Sequence, residues 1–208
     1  MSQTMTFDLS PEQKILVSTA RNAASLPAKA ADAVLVIEER ASADPAEAAR
    51  FGFEGVGGRS STTAAMLPGL EGSESALASI PEDNRLLARL IAAAVALGVG
   101  RAAINHAVAA MKKLEIKPGP ETTVPHWALA DGATDVQAAR LLTYSAAQSF
   151  DRGEQTSDLI ARALEFASHA AQRAVDAAIR VEGSAGYTRN GLLERLSRDA
   201  RTLQVILR

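Results

Sequence analysis

Residues 86–111 read LLARLIAAAVALGVGRAAINHAVAAM. Leu86, Leu90, Ala93, Leu97, Gly100, Ile104 and Met111 recur at steps of three, four or their sum, the period that lines one face of an amphipathic helix. Three later stretches repeat the pattern. Leu129, Gly132, Val136, Ala139, Thr143, Ala146 and Phe150 form the second set. Leu159, Ala163, Phe166, Ala170, Ala177 and Val181 form the third, and Leu193, Leu196, Ala200, Leu203 and Leu207 the fourth. Four such segments joined by short loops predict antiparallel neighbours and a four-helix up-down bundle over residues 79–208.

Boundary residues agree with this reading. Ser79-Ile-Pro-Glu82 has the form of a capping box. Lys112 and Lys113 complement the dipole where the first helix ends, and Lys117-Pro-Gly-Pro120 stops it. Gly153 and Gly183 close the second and third helices. Thr156 or Ser157 caps the third, and Asn190 the fourth.

Residues 1–78 have a shorter, broken pattern. Lys14-Ile-Leu-Val-Ser-Thr19 and Asp32-Ala-Val-Leu-Val-Ile37 are β-branched runs that predict strands, with a loop over 23–30 between them. Asp44-Pro45 opens one or two helical turns. Phe51 to Leu67 mixes Gly with Ser and Thr and reads as a bent strand pair. The fold expected is therefore mainly α, with a small β-containing N-terminal segment.

Composition fits a globular chain. Of 208 residues, 47% are hydrophobic and 22% charged, which excludes disorder and low complexity. Aromatics are only 4%, so small helix formers, Ala above all, must fill the core. The balance of 22 basic and 24 acidic residues offers no electrostatic footprint for nucleic acid. There is no Cys, hence no disulfide and no thiol chemistry. The opening residues lack the apolar core of a signal peptide, and the apolar run Leu90 to Gly100 is short of the roughly 20 residues that span a bilayer. A soluble, cytoplasmic protein that does not engage membranes is the expectation.

Motifs for common chemistries are missing or incomplete. No P-loop occurs, and Gly52, Gly55, Gly57 and Gly58 do not have dinucleotide-fingerprint spacing; they read as glycines for bends. Glu165 and His169 lie four apart on the third helix, where a solvated pair outweighs a metal site because a second pair is missing. His106 and His126 have no partner visible in sequence. Ser184, in Gly183-Ser-Ala-Gly186, lacks the nucleophile elbow.

The last third of the chain carries the most specific pattern. Ala177-Ala-Ile-Arg-Val-Glu-Gly-Ser-Ala-Gly-Tyr-Thr188, followed by Leu193-Glu-Arg-Leu-Ser-Arg-Asp-Ala-Arg201, resembles the C-terminal signature of the acyl-CoA dehydrogenase family. Residues 96–107 look like that family's first bundle helix. Leu129-Ala-Asp131 with Ala139-Arg-Leu-Leu-Thr-Tyr144 looks like its second. Upstream, residues 14–19, 31–36 and 57–63 more weakly resemble later strands of its middle β domain. The resemblance implies a shortened relative, with residues 1–78 a remnant of the β domain.

The family oxidises acyl-CoA thioesters with FAD, using a glutamate as base. The two positions that the resemblance assigns to that glutamate hold Leu207 and Ala88, so no catalytic residue is assigned. The cofactor contacts it implies fall on Lys113, Arg180, Gly183, Ser184 and Ser18. Lys113 replaces an arginine and loses its fork; Lys117 replaces a glycine. Each retained residue also has a structural reading: Arg198, Asp199 and Arg201 as ionic fasteners, and Gly183, Gly186 and Tyr187 as a packed turn. Partners implied are a second copy, as homodimer or homotetramer, or a full-length family subunit. Three functions stay open: a catalytically degenerate association bundle, an FAD-dependent dehydrogenase completed by another chain, and a ligand-binding bundle for CoA thioesters or nucleotides.

Overall fold

The structure is a computed structural model that describes residues 9–23, 25–55, 80–113, 123–189 and 191–205. The described residues form helices α1 (Pro11–Thr19), α2 (Ala30–Ala41), α3 (Pro45–Gly55), α4 (Arg85–Lys113), α5 (Thr123–Asp151), α6 (Ser157–Glu182) and α7 (Leu192–Val205). No strand occurs among them.

Helices α4 to α7 are the bundle that the periodicity predicts. Gly132 faces Ala174 and Arg173 pairs with Asp135, so α5 and α6 run antiparallel. Gly100 meets Ala171 and His106 meets Glu182, so α4 and α6 run parallel. Two faces are close to the reading: Leu129, Gly132, Val136, Ala139, Thr143 and Ala146 of α5 are buried, as are Leu193, Leu196, Ala200 and Leu203 of α7. In α6, Ala163, Ala170 and Ala177 are buried but Leu159, Phe166 and Val181 only half so. Gly153 and Gly183 have φ of 72° and 63°, the left-handed backbone that ends α5 and α6. Thr156 occupies the α6 N-cap without a side-chain hydrogen bond, so the cap is geometric only. A 3-10 turn over Glu82–Asn84 precedes α4, and Glu82 pairs with Arg85 at 3.2 Å. Ser79, Lys117–Pro120 and Asn190 lie outside the described residues.

The N-terminal part corrects the sequence reading. The runs at 14–19 and 32–37 are helices, not strands. Ser10 and Gln13 form a reciprocal capping box that starts α1. In α2 every residue from Ala33 to Glu38 is buried. A helix enclosed on all sides has no polar stripe, so its apolar run imitates a buried strand. Residues 51–55, expected to begin a strand pair, are the end of α3; the remainder of that pair lies outside the described residues. Gly52 belongs to this helix, where a Cβ would lie 2.5 Å from Ile91 and 2.9 Å from Ile37. Its smallness serves a helix contact, not a bend. Asp44 caps α3 by accepting hydrogen bonds from the Ala46 and Glu47 amides, both at 3.1 Å.

Helix α2 packs against α4 and α5, and α3 against α2 and α4. This explains why α4 is buried all round from Leu90 to Gly100. By length and composition residues 82–113 could cross a membrane, but most of the apolar window is covered by neighbouring helices, as in the core helix of a globular fold.

Candidate functional site

Topology gathers four of the five sequence-derived positions at one end of the bundle. The C-termini of α4 and α6 lie there with the N-termini of α5 and α7. His106 Nε2 and Glu182 Oε1, 2.6 Å apart, tie α4 to α6 at that end. Lys113 ends α4 and Arg180 lies in the last turn of α6. Gly183 and Ser184 begin the 3-10 turn Gly183–Tyr187. Lys112, Lys113, Arg180 and Arg189 are exposed and, among the described residues, make no hydrogen bond or ion pair. Val108, Trp127, Tyr187 and Leu192 are exposed on the helix segments that meet at this end. Tyr187 is 73% exposed, so packing is not the reason for its ring. Gly186 does serve packing: a Cβ there would lie 3.2 Å from the backbone of Ile179.

The fifth position is elsewhere. Ser18 lies in α1, its hydroxyl donates to the Ile15 carbonyl at 2.7 Å, and α1 packs against α2. Among the described residues, Ser18 thus stands apart from the other four. Lys113 and Arg180 suit phosphate groups.

A second constellation was invisible in the sequence. Glu38, on α2, has a side chain only 3% exposed. Arg140 Nε donates to its Oε2 at 3.0 Å, Tyr144 OH donates to the same oxygen, and Arg101 stands 3.5 Å from Oε1. Arg101 also donates to Glu39 at 2.6 Å. Burial, then the Glu38 carboxylate, pushes the Tyr144 hydroxyl well above the ordinary tyrosine value. Burial tends to lower the Arg140 guanidinium, but Glu38 and Tyr144 outweigh it and hold it above its usual value. The cluster is a charge-satisfied clamp between α2, α4 and α5. Arg140 and Tyr144 were legible as an i, i+4 pair, but their partner was hidden by the strand reading of α2.

A cavity of about 400 Å³ opens at the other end of the bundle, lined by Arg89 of α4, Ala161, Leu164, Glu165 and Ser168 of α6, and Leu203 and Gln204 of α7. Ala88 is fully buried, and Leu207 lies outside the described residues. Glu165 is the acidic residue among the described lining residues. Arg198 pairs with Glu194 within α7 at 2.9 Å, while Asp199 is buried and Arg201 exposed. Among the described residues, no group of three or more metal-ligating side chains converges.

The architecture and the signature turn can be set beside known proteins. A family model described as "Acyl-CoA dehydrogenase, C-terminal domain" matches residues 84–206. An "Acyl-CoA dehydrogenase" of Bacillus subtilis (strain 168) is 37% identical over 124 residues, 59% of this chain and 33% of its own. A "3-(aryl)acrylate reductase" of Clostridium sporogenes is 34% identical over 119 residues, 56% of this chain and 32% of its own. The chain thus spans about a third of the length of these curated relatives. The solved butyryl-CoA dehydrogenase of Megasphaera elsdenii superposes with a TM-score of 0.73 over 97% of this chain and 95% of that one, at 15% identity, a likeness of fold. With the matched region running from the start of α4 through α7, the chain belongs to the acyl-CoA dehydrogenase family by its C-terminal helical domain.

Proposed function

We propose that this chain is a catalytically degenerate, cytoplasmic member of its family whose helical bundle, residues 79–208, associates with a second copy or with a full-length family subunit. The observation that carries this reading is the composition of the bundle end described above. Trp127 and Tyr187 are 66% and 73% exposed at the same end as four cations that have no partner among the described residues. Trp, Tyr and Arg are the residue types enriched among the anchors of protein interfaces. The apolar residue at Ala88 supports the loss of chemistry, because a buried methyl group cannot take a proton.

Light scattering across a concentration series tests association. The reading expects a dimer or tetramer, or a stable complex with a co-expressed family subunit, that Trp127→Asp weakens. A chain that stays monomeric and captures no family subunit refutes it. A second reading, an FAD-dependent dehydrogenase completed by another chain, draws support from Lys113 and Arg180 at the same end. It requires a yellow complex that reduces a dye with acyl-CoA. A colourless complex without turnover excludes it.

A further inference from the structure

We infer that the cavity between α4, α6 and α7 is a binding site for a monocarboxylate with an apolar tail, recognised by Arg89. Its volume, about 400 Å³, falls within the range of small-molecule sites. It lies at the end opposite the proposed association surface and does not depend on that reading. Ala161, Leu164 and Leu203 give it apolar walls; Leu203 is 3% exposed.

Arg89 is the unusual residue. It is half-buried and, among the described residues, makes no hydrogen bond or ion pair. A guanidinium cannot shed its charge to escape desolvation, so Arg89 retains an unmet demand for an anion. Its planar fork fits a carboxylate through two parallel bonds. Gln204 offers an amide donor at the same wall. Ser168 spends its proton on the Glu165 backbone carbonyl at 2.9 Å and does not serve as a donor.

Glu165 decides the charge of the ligand. It lines the cavity, is exposed, and forms no ion pair with Arg89. Its carboxylate repels a dianion more than a monoanion, which disfavours phosphate. The apolar walls disfavour a small hydrated anion. A single carboxylate on a hydrocarbon body meets both conditions, with the head at Arg89 and the tail between Leu164 and Leu203.

Titration calorimetry and NMR with octanoate, 1-octanol and inorganic phosphate test the assignment on the full chain. Octanoate is expected to bind saturably at one site per chain, whereas octanol and phosphate do not. Arg89→Met should lower octanoate affinity by about tenfold or more, the loss of a charge-assisted hydrogen-bond pair. Glu165→Gln should tighten it, most at low salt. Leu164→Trp, which fills the cavity and keeps Arg89, should block it. Failure of octanoate to bind, equal binding of octanol, or undiminished binding by a folded Arg89→Met variant overturns the proposal. If Arg89→Met does not fold, the comparison of octanoate with octanol on the wild-type chain and the Leu164→Trp variant decides the matter.

Discussion

Gly98 shows how close two helices come in this protein. A Cβ on Gly98 would lie 2.4 Å from the Ala41 methyl and 2.8 Å from α2 backbone atoms, which cannot rotate away. Gly98→Val should therefore push α2 off α4 and destabilise the chain by about 1–3 kcal/mol, read by chemical denaturation. Glu38 works through charge at the same contact. Its removal leaves two arginines facing a buried gap, so Glu38→Ala should cost about 3 kcal/mol, at the low end for a broken buried pair because both guanidinium groups keep some solvent. Tyr144 adds a pH dependence. In the unfolded chain a tyrosine loses its proton near about pH 10, whereas in the folded chain burial and Glu38 hold it on to higher pH. Above that pH the folded state binds the extra proton, so stability is present below it and falls as pH rises. The alkaline loss of stability should be shallower in Tyr144→Phe than in the wild type; parallel curves would remove Tyr144 as its source.

Among the elements, α4 to α7 were legible as helices because their apolar residues recur with a period near 3.6. Burial follows the predicted positions closely in α5 and α7, whereas α4 is buried all round from Leu90 to Gly100. In α6, Leu159, Phe166 and Val181 are half-buried while Ile160, Ala167 and Ala171 are fully buried. Helix α2 was not legible. Its core residues Val34, Val36 and Ile37 are β-branched and its polar residues lie at the ends, so neither period nor propensity separates it from a buried strand. The signal that distinguishes it is length: Ala30, Ala31 and Glu38 to Ala41 extend the run to 12 residues with good helix formers. The Asp151 carboxylate then supplies what no local residue does. It accepts hydrogen bonds from the Ala30 and Ala31 amides at 2.7 and 3.0 Å, capping α2 from the end of α5. Asp151→Ala should lower stability by about 1 kcal/mol, the usual effect of losing an N-cap. Hydrogen exchange localises the effect: amides in the first turn of α2 should exchange faster while those in the middle of α6 stay protected.

At the scale of the whole molecule, the two ends of the bundle carry different chemistry. One gathers exposed aromatics and cations that have no partner among the described residues; the other holds an apolar cavity with a half-buried arginine. The first was partly legible, since Lys113, Arg180, Gly183 and Ser184 were singled out in sequence, but the exposure of Trp127 and Tyr187 depends on how four helix ends meet in space. The cavity was not legible, because Arg89, Glu165 and Leu203 come from three helices and only parallel and antiparallel packing brings them together. The chain has one tryptophan, and it sits at the association end. Trp127 fluorescence therefore reports on one end alone. In dilute protein it should be readily quenched by acrylamide, as an indole 66% exposed must be. Raising the concentration, or adding a family subunit, should shield it and shift its emission to the blue if that end is the interface. Octanoate should leave it unchanged, because the cavity lies at the far end. Quenching that does not change with assembly would mean that the partner docks elsewhere, and protection by octanoate would mean that the two ends are coupled through α4 and α6.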